Sequence, residues 1–507
     1  MNPAYLLGID SGSTVTKAVI ADFSGAVVAV GKSLLPQLNP KPMHMERDMD
    51  AAWAAAASAV REALALGGIP ASSIAAVGVT GHGDGLYCLD REGRPLGNGI
   101  LSLDSRGAET VAGWQADGRL DALLPLTGQH PYPYSAASLL AWIGRHEPER
   151  FAAIGHVFFC KDWLRFRLTG EIATDLTEAS TSFTDLHRQD YSAEALALYG
   201  LGGIRPALPP ILEPGGRAGA VTPEAAALTG LEEGTPVAAG VHDVTAAAIG
   251  MGNIEPGDLT ITAGTFSINE VLSDRPRIDR NGGAPRWACR AGPKRGTWMN
   301  MSISPASSAN LEWLVRQFGT EDAGRLLHQM EAELDRAAAA PGRIVYHPFL
   351  YGSPYGAPDS AAFLGLKGWH GRADMLQAVL EGIVFNHRTH VDALATAFAV
   401  KRVRLTGGGS SHMRMGQLFA DGLGRRLEVP AQSEAAALGA ALCGAVAVGV
   451  FKDLEEAAAS CCRIAAAHEP DPARQAGLAE AYDLYTRLVG ALRPFWPELE
   501  GGKAAET

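Results

Sequence analysis

The sequence predicts an α/β fold built from two similar domains. Three observations carry that prediction. Short apolar runs of strand length alternate with longer segments of helical periodicity, the pattern of sheets covered by helices. Two strand–turn–strand segments with small-residue turns, Asp10–Lys17 and Thr262–Ser267, stand far apart and look like copies of one unit. The chain has 507 residues, more than one hydrophobic core holds.

Taken in order, Tyr5–Ile9, Lys17–Ile20 and Val27–Val30 read as three strands joined by the Asp10-Ser11-Gly12-Ser13 turn and by Gly25. Ala51–Leu66 is helical, with Trp53, Ala56, Val60 and Leu64 at spacings of three and four. Ile74–Thr80 is a buried strand that ends in Gly81-His82-Gly83-Asp84-Gly85. Ser138–Ile143 and Lys161–Leu168 are helical. The apolar run Val237–Val241 ends at His242-Asp243, and a hinge is expected near 244–257, where Gly250, Gly252 and Gly257 accumulate. Leu259–Thr262 and Phe266–Leu272 are the second hairpin. Helices follow at Asp374–Leu394, Met413–Leu423, Glu434–Val448 and Ala473–Leu492, with a strand at Val403–Leu405 opening into Thr406-Gly407-Gly408-Gly409-Ser410-Ser411.

Composition excludes several classes. Hydrophobic residues are 47% and charged residues 19%, which suits a folded chain rather than a disordered one. The net charge is −12 and no basic stripe occurs, so no nucleic-acid partner is expected. Six scattered cysteines without a CxxC pair read as free thiols of a cytoplasmic protein. The first residues lack a basic segment and an apolar segment, so no signal peptide is expected. The uncharged run Ala435–Phe451 is short for a membrane span and rich in Ala and Gly; it reads as a buried helix.

Four segments carry chemistry. In Asp10-Ser11-Gly12-Ser13-Thr14-Val15-Thr16-Lys17, small residues let backbone N–H groups and hydroxyls approach a polyphosphate. Asp10 at the strand end can hold Mg²⁺ directly or through its waters. Lys17 can reach phosphate or form a salt bridge at the strand edge. Alone, this hairpin fits an ordinary turn equally well. The second hairpin, with Gly264 and Thr265, gains weight from its pairing with the first. Gly407–Ser411 permits close backbone approach to a ring or phosphate but is no Walker loop, since no Gly-Lys-Ser/Thr follows. The fourth segment is Gly240-Val241-His242-Asp243. A carboxylate directly after a buried strand is costly without a partner or a task, and Asp243 can accept a proton from a hydroxyl; His242 reads as its hydrogen-bonding neighbour.

Together these motifs, with Glu434-Ala435-Ala436-Ala437-Leu438-Gly439, occur in the order and spacing of the FGGY carbohydrate kinases, which the chain resembles over residues 4–455. The resemblance implies two ribonuclease-H-like, actin-type domains with an interdomain cleft: 1–245, carrying sugar site, phosphate hairpin and catalytic Asp243, and 246–455, carrying nucleotide, followed by a helical tail at 456–507. It implies ATP and Mg²⁺, with Asp10 at the metal and Asp243 as base. It assigns ATP contacts to Ser11, Gly12, Ser13, Thr14, Lys17, Gly264, Thr265, Gly408, Gly409 and Ser410. A homodimer is the assembly expected, with no membrane partner.

For the acceptor, Gly83-Asp84-Gly85 looks closest to the L-xylulose and erythritol kinase branches and matches neither the D-xylulose nor the glycerol pattern. Acceptor contacts are expected from His82, Asp84, Asp104, Arg106, His242 and Asp243. Asp84 would accept hydrogen bonds from hydroxyls, or be a turn residue between glycines. Asp104 would bind a hydroxyl while Arg106 anchors it; a plain surface ion pair is the alternative. The expected function is ATP-dependent phosphorylation of a pentulose, with a tetritol as alternative acceptor. An actin- or chaperone-type ATPase without a sugar acceptor is a more distant alternative, disfavoured by Asp84 and Asp104.

Overall fold

The computed structural model describes residues 4–279, 284–319, 323–339, 343–355, 359–407 and 413–499. By packing, the chain forms two compact units that are not contiguous in sequence. The first comprises Met1–Pro256, Leu272–Asn300 and Glu434–Arg463; the second comprises Gly257–Val271, Met301–Ser433 and Ile464–Thr507.

In the first unit a six-stranded sheet is ordered Arg217–Ala220, Pro236–Ala238, Ile74–Gly81, Tyr5–Ser11, Val15–Asp22, Val27–Leu34. Tyr5–Ser11 pairs antiparallel with Val15–Asp22 and parallel with Ile74–Gly81. Side chains alternate across a strand. Leu7 and Ile9 join Trp53, Val60, Trp163 and Leu164 under helices Met49–Gly67 and Cys160–Thr169. Leu6 faces the other way, with Ala76, Ala246, Ile249, Leu438 and Leu442.

That second face admits unusually close backbone. Gly8 and Gly78 are register neighbours, and helix Ala435–Ala447 lies directly on them. A Cβ on Gly8 would fall 1.8 Å from the Ala437 carbonyl oxygen, and one on Gly78 would fall 1.7 Å from that of Ala440. On the helix's far side, Gly439 meets Ala246 and Gly250 meets Ala435, with 1.9 Å to the carbonyl oxygen in both cases. The small residues of 243–250 therefore serve helix-on-helix packing. Helix Asp243–Gly250 covers the first part of the segment 244–257 expected as a hinge, and the chain passes from the first unit to the second between Pro256 and Gly257. The uncharged run is the buried helix expected, and among the described residues no helix is long and apolar enough to cross a membrane. All six cysteines are free.

The second unit repeats the strand plan. Asp258–Ala263 pairs antiparallel with Ser267–Ser273 and parallel with Arg402–Thr406, as Tyr5–Ser11 does with its two neighbours. Arg402–Thr406 continues to Leu427–Pro430 and then to Ile464–His468. Helices Arg372–Ala395 and Pro472–Leu492 close a core of Val345, Phe349, Phe385, Leu478, Tyr485 and Val489.

Candidate active site

The hairpin at Asp10 is braced from beneath. Gly12 N–H donates to the Val15 carbonyl at 3.1 Å and closes the turn. The fully buried Arg47 donates to the carbonyl oxygens of Gly12 (3.1 Å) and Ser13, and Gln37 donates to that of Ser13 at 2.9 Å. The carbonyls, which would repel an anion, are thus engaged by Arg47. Ser13 and Gly12 are half-buried and Thr14 is exposed. The Ser11 hydroxyl is buried against Thr16 at 3.0 Å, so Ser11 presents only backbone. Lys17 is ion-paired with Glu434 at 2.6 Å, a partner 417 residues away.

Asp10 stands one residue before that turn. Burial, with the negative charges of Asp243 and Glu434, pushes its carboxyl up to about 7 against the pull of Lys17. Concentrated negative charge of this kind suits a divalent cation. Among the described residues no group of three or more His, Cys, Asp or Glu forms a metal cage. The Asp10 carboxyl suits Mg²⁺, which binds through one or two carboxylates plus water and phosphate oxygens.

Asp243 opens its helix after the bend 239–242 that follows strand Pro236–Ala238. The bend before it is pinned from two sides: Thr80 Oγ1 donates to the Val241 carbonyl at 2.6 Å, and the His242 N–H donates to Thr177 Oγ1 at 2.9 Å. Thr177 is itself fixed by Asp175, at 2.6 Å, and Lys161 holds Asp175 at 2.8 Å. The Asp243 carboxylate is one-third exposed, accepts from Val244 N at 2.8 Å, and lies 3.2 Å from His242 Nδ1. His242 Nε2 has no hydrogen-bond partner and points 4.0 Å from Asp84 Oδ2.

The Gly81–Gly85 loop supplies the rest. His82 is buried; its N–H donates to Ser11 O at 2.9 Å and its Nε2 lies 3.1 Å from the Tyr87 hydroxyl. Burial and the charge of Arg47 push its imidazole down to about 3, so it is neutral. Asp84 is buried at φ +55°, a strained conformation for a side chain other than glycine. Burial alone would raise its carboxyl, yet Arg290, 3.0 Å away, and His242 hold it below the usual range. Asp104 and Arg106 form a buried pair, so the surface alternative does not fit. Both Asp104 oxygens are occupied by Arg106 and by Met45 N at 2.7 Å, and Arg106 continues to Glu46 at 2.6 Å.

In the second unit, the Gly264 carbonyl accepts from Ser308 N at 2.9 Å, and Thr265 is exposed beside it. Gly407, at φ +114°, packs against this hairpin: a Cβ there would fall 2.2 Å from Ala263 O. Gly408, Gly409 and Ser410 lie outside the described residues. Sequence reasoning missed Arg290, Thr177, Thr80 and Glu178. Glu178 is buried with both carboxyl oxygens unpartnered, and burial holds its carboxyl well above the usual range. No local pattern marks any of the four.

The chain matches the models of the FGGY family of carbohydrate kinases, the N-terminal domain over residues 5–250 and the C-terminal domain over 259–448. The chain belongs to the FGGY family of carbohydrate kinases. It is 35% identical over 495 residues to the L-xylulose/3-keto-L-gulonate kinase of Escherichia coli K12, covering 97% of this chain and 98% of that protein. It is 28% identical to the erythritol kinase of Brucella abortus, covering 98% of each. The solved xylulose kinase of Rhodospirillum rubrum superposes with a TM-score of 0.85 at 30% identity, covering 97% of this chain and 99% of that one. This FGGY protein is thus a carbohydrate kinase with the family's two-domain α/β fold.

Proposed function

We propose that this carbohydrate kinase transfers the γ-phosphoryl group of ATP to a hydroxyl of a pentulose, with Asp243 accepting the hydroxyl proton. The observation that carries the reading is the approach of His242 to both Asp243 (3.2 Å) and Asp84 (4.0 Å), which sets a solvent-open base beside a hydroxyl-binding carboxylate. Names of relatives support the pentulose: an L-xylulose/3-keto-L-gulonate kinase and a probable L-xylulose kinase are each 35% identical over nearly the whole chain. Erythritol is the alternative acceptor, supported by the Brucella relative.

The residues divide the work. Asp243, open to solvent at a helix start, takes the proton as the acceptor oxygen attacks. Asp84 accepts from acceptor hydroxyls; His242 orients Asp243; neutral His82 packs the loop. Arg106 keeps Asp104 in place, and we assign that pair to shaping the loop around Met45. ATP contacts are proposed at Ser11 (through its backbone), Gly12, Ser13, Thr14 and Lys17, and at Gly264, Thr265, Gly408, Gly409 and Ser410. Asp10 would hold Mg²⁺, which neutralises charge on the phosphates when bound. Coupled detection of ADP release across pentuloses, pentitols, tetritols and glycerol tests the proposal. Acceptor-independent ADP release would instead favour the ATPase alternative.

A further inference from the structure

Arg290 comes from the 272–300 segment, far from every motif of the site, yet its guanidinium closes on Asp84. Arg290 Nη1 donates to Asp84 Oδ2 at 3.0 Å, and its Nε donates to Gln129 Oε1 at 2.6 Å. Gln129 is itself tied to the carbonyls of Ser180 and Thr181 at 2.8 and 3.0 Å. Ser135 Oγ donates to the other Asp84 oxygen at 3.3 Å. A buried carboxylate left alone would bind a proton and lose its value as an acceptor. The guanidinium fork keeps Asp84 ionised and, by spending itself there, is not available to a ligand.

Among the described residues, four further cations of the first unit are likewise occupied. Arg47 is on the Gly12 and Ser13 carbonyls, Arg106 on Asp104 and Glu46, Lys17 on Glu434, and Lys161 on Asp162 and Asp175. His82 carries no charge. Against this stand the carboxylates of Asp84 and Asp243.

We infer that the acceptor is an uncharged polyhydroxy compound, and that the Asp84–Arg290 pair selects against a sugar bearing a carboxylate. The inference rests on the phosphoryl-transfer reading above and adds to it the residue pair that discriminates between acceptors. Vicinal hydroxyls donate well to an ionised carboxylate, whereas a substrate carboxylate would lose its water and meet only acceptor oxygens and a guanidinium already engaged by Asp84, a cost of about a hundredfold.

The test uses the purified full chain and coupled ADP detection with an uncharged ketopentose, a tetritol, a hexonate and a 3-keto-hexonate. The uncharged acceptors are expected to exceed the carboxylates by about a hundredfold in kcat/KM. Asp84→Asn frees Arg290 to pair with a substrate carboxylate, so the ratio should narrow by at least about tenfold. Equal turnover of both classes by the unmodified protein overturns the inference, as does an Asp84→Asn ratio that does not move. If Asp84→Asn fails to fold, Arg290→Met is measured instead. It should raise KM for the uncharged acceptor by at least about tenfold with KM for ATP unchanged, and an unchanged acceptor KM overturns the inference. No acceptor-dependent ADP release from any compound removes the kinase reading and takes the inference with it, an outcome distinct from a preference for the carboxylates.

Discussion

Gly83 lies against the imidazole of His242. A Cβ at Gly83 would fall 1.9 Å from His242 Nε2 and 2.4 Å from two ring carbons. The Gly81–Gly85 loop and the start of the Asp243 helix thus touch through a position where only hydrogen fits. Gly83→Ala should push the ring off Asp243, with a loss of about ten- to a hundredfold in kcat/KM for the acceptor. Steady-state kinetics beside a thermal melt check this. Normal turnover would show that the ring's place is not needed.

Asp243→Asn removes the proposed proton acceptor and keeps the shape. The Val244 N–H bond at 2.8 Å can still be made to the amide oxygen. Turnover should fall by about 10²–10⁴ while ATP affinity holds. Single-turnover ADP formation and ATP titration separate the two.

Glu178 yields a prediction on stability. Its carboxyl is held above its ordinary value, first by burial and then, against Lys161, by the charges of Asp175, Asp162 and Asp243. A group with a raised folded value binds its proton more tightly folded than unfolded. Its contribution is therefore present in full below the unfolded value, near 4.5, and is lost as pH rises toward the folded one. Glu178→Gln has no proton to lose. The stability difference between variant and parent should grow in the variant's favour above pH 4.5, at up to about 1.4 kcal/mol per pH unit. Urea melts at pH 5 and pH 8 measure it, and a constant difference would contradict the assignment.

Gly439→Ala should destabilise by about 1–3 kcal/mol or more, since its Cβ would meet backbone, not a movable side chain. Denaturant melts read the loss. Surface Gly477, with nothing within 4 Å of an added Cβ, is the control and should tolerate Ala.

The two hairpins were legible because their information is local. Apolar runs give the strands, and Gly, Ser and Thr give the turns, as in Asp10–Lys17. The small residues of 244–257 read ambiguously for a physical reason. Glycine and alanine serve close packing as readily as hinge motion, and the packing of Ala246 and Gly250 against Ala435–Ala447 depends on a helix nearly two hundred residues further along. The Asp84–Arg290 pair spans 206 residues and has no sequence pattern of its own. Asp104 was recognised together with its arginine, but the enclosure of its oxygens depends on Met45, which carries no chemical signature. Local chemistry can be read from neighbours along the chain, whereas partnership across the fold cannot.

The close seat of Ala435–Ala447 on Gly8 and Gly78 has a consequence for biosynthesis. The first strand made and this helix of the same unit are separated by more than four hundred residues of chain, so the nascent sheet leaves the ribosome with one face bare. Until residue 447 emerges, Leu6, Ala76 and Ala238 have no cover from this helix. A gene cut at the obvious family boundary near residue 250 would deliver that exposed face permanently, and its product should aggregate rather than fold.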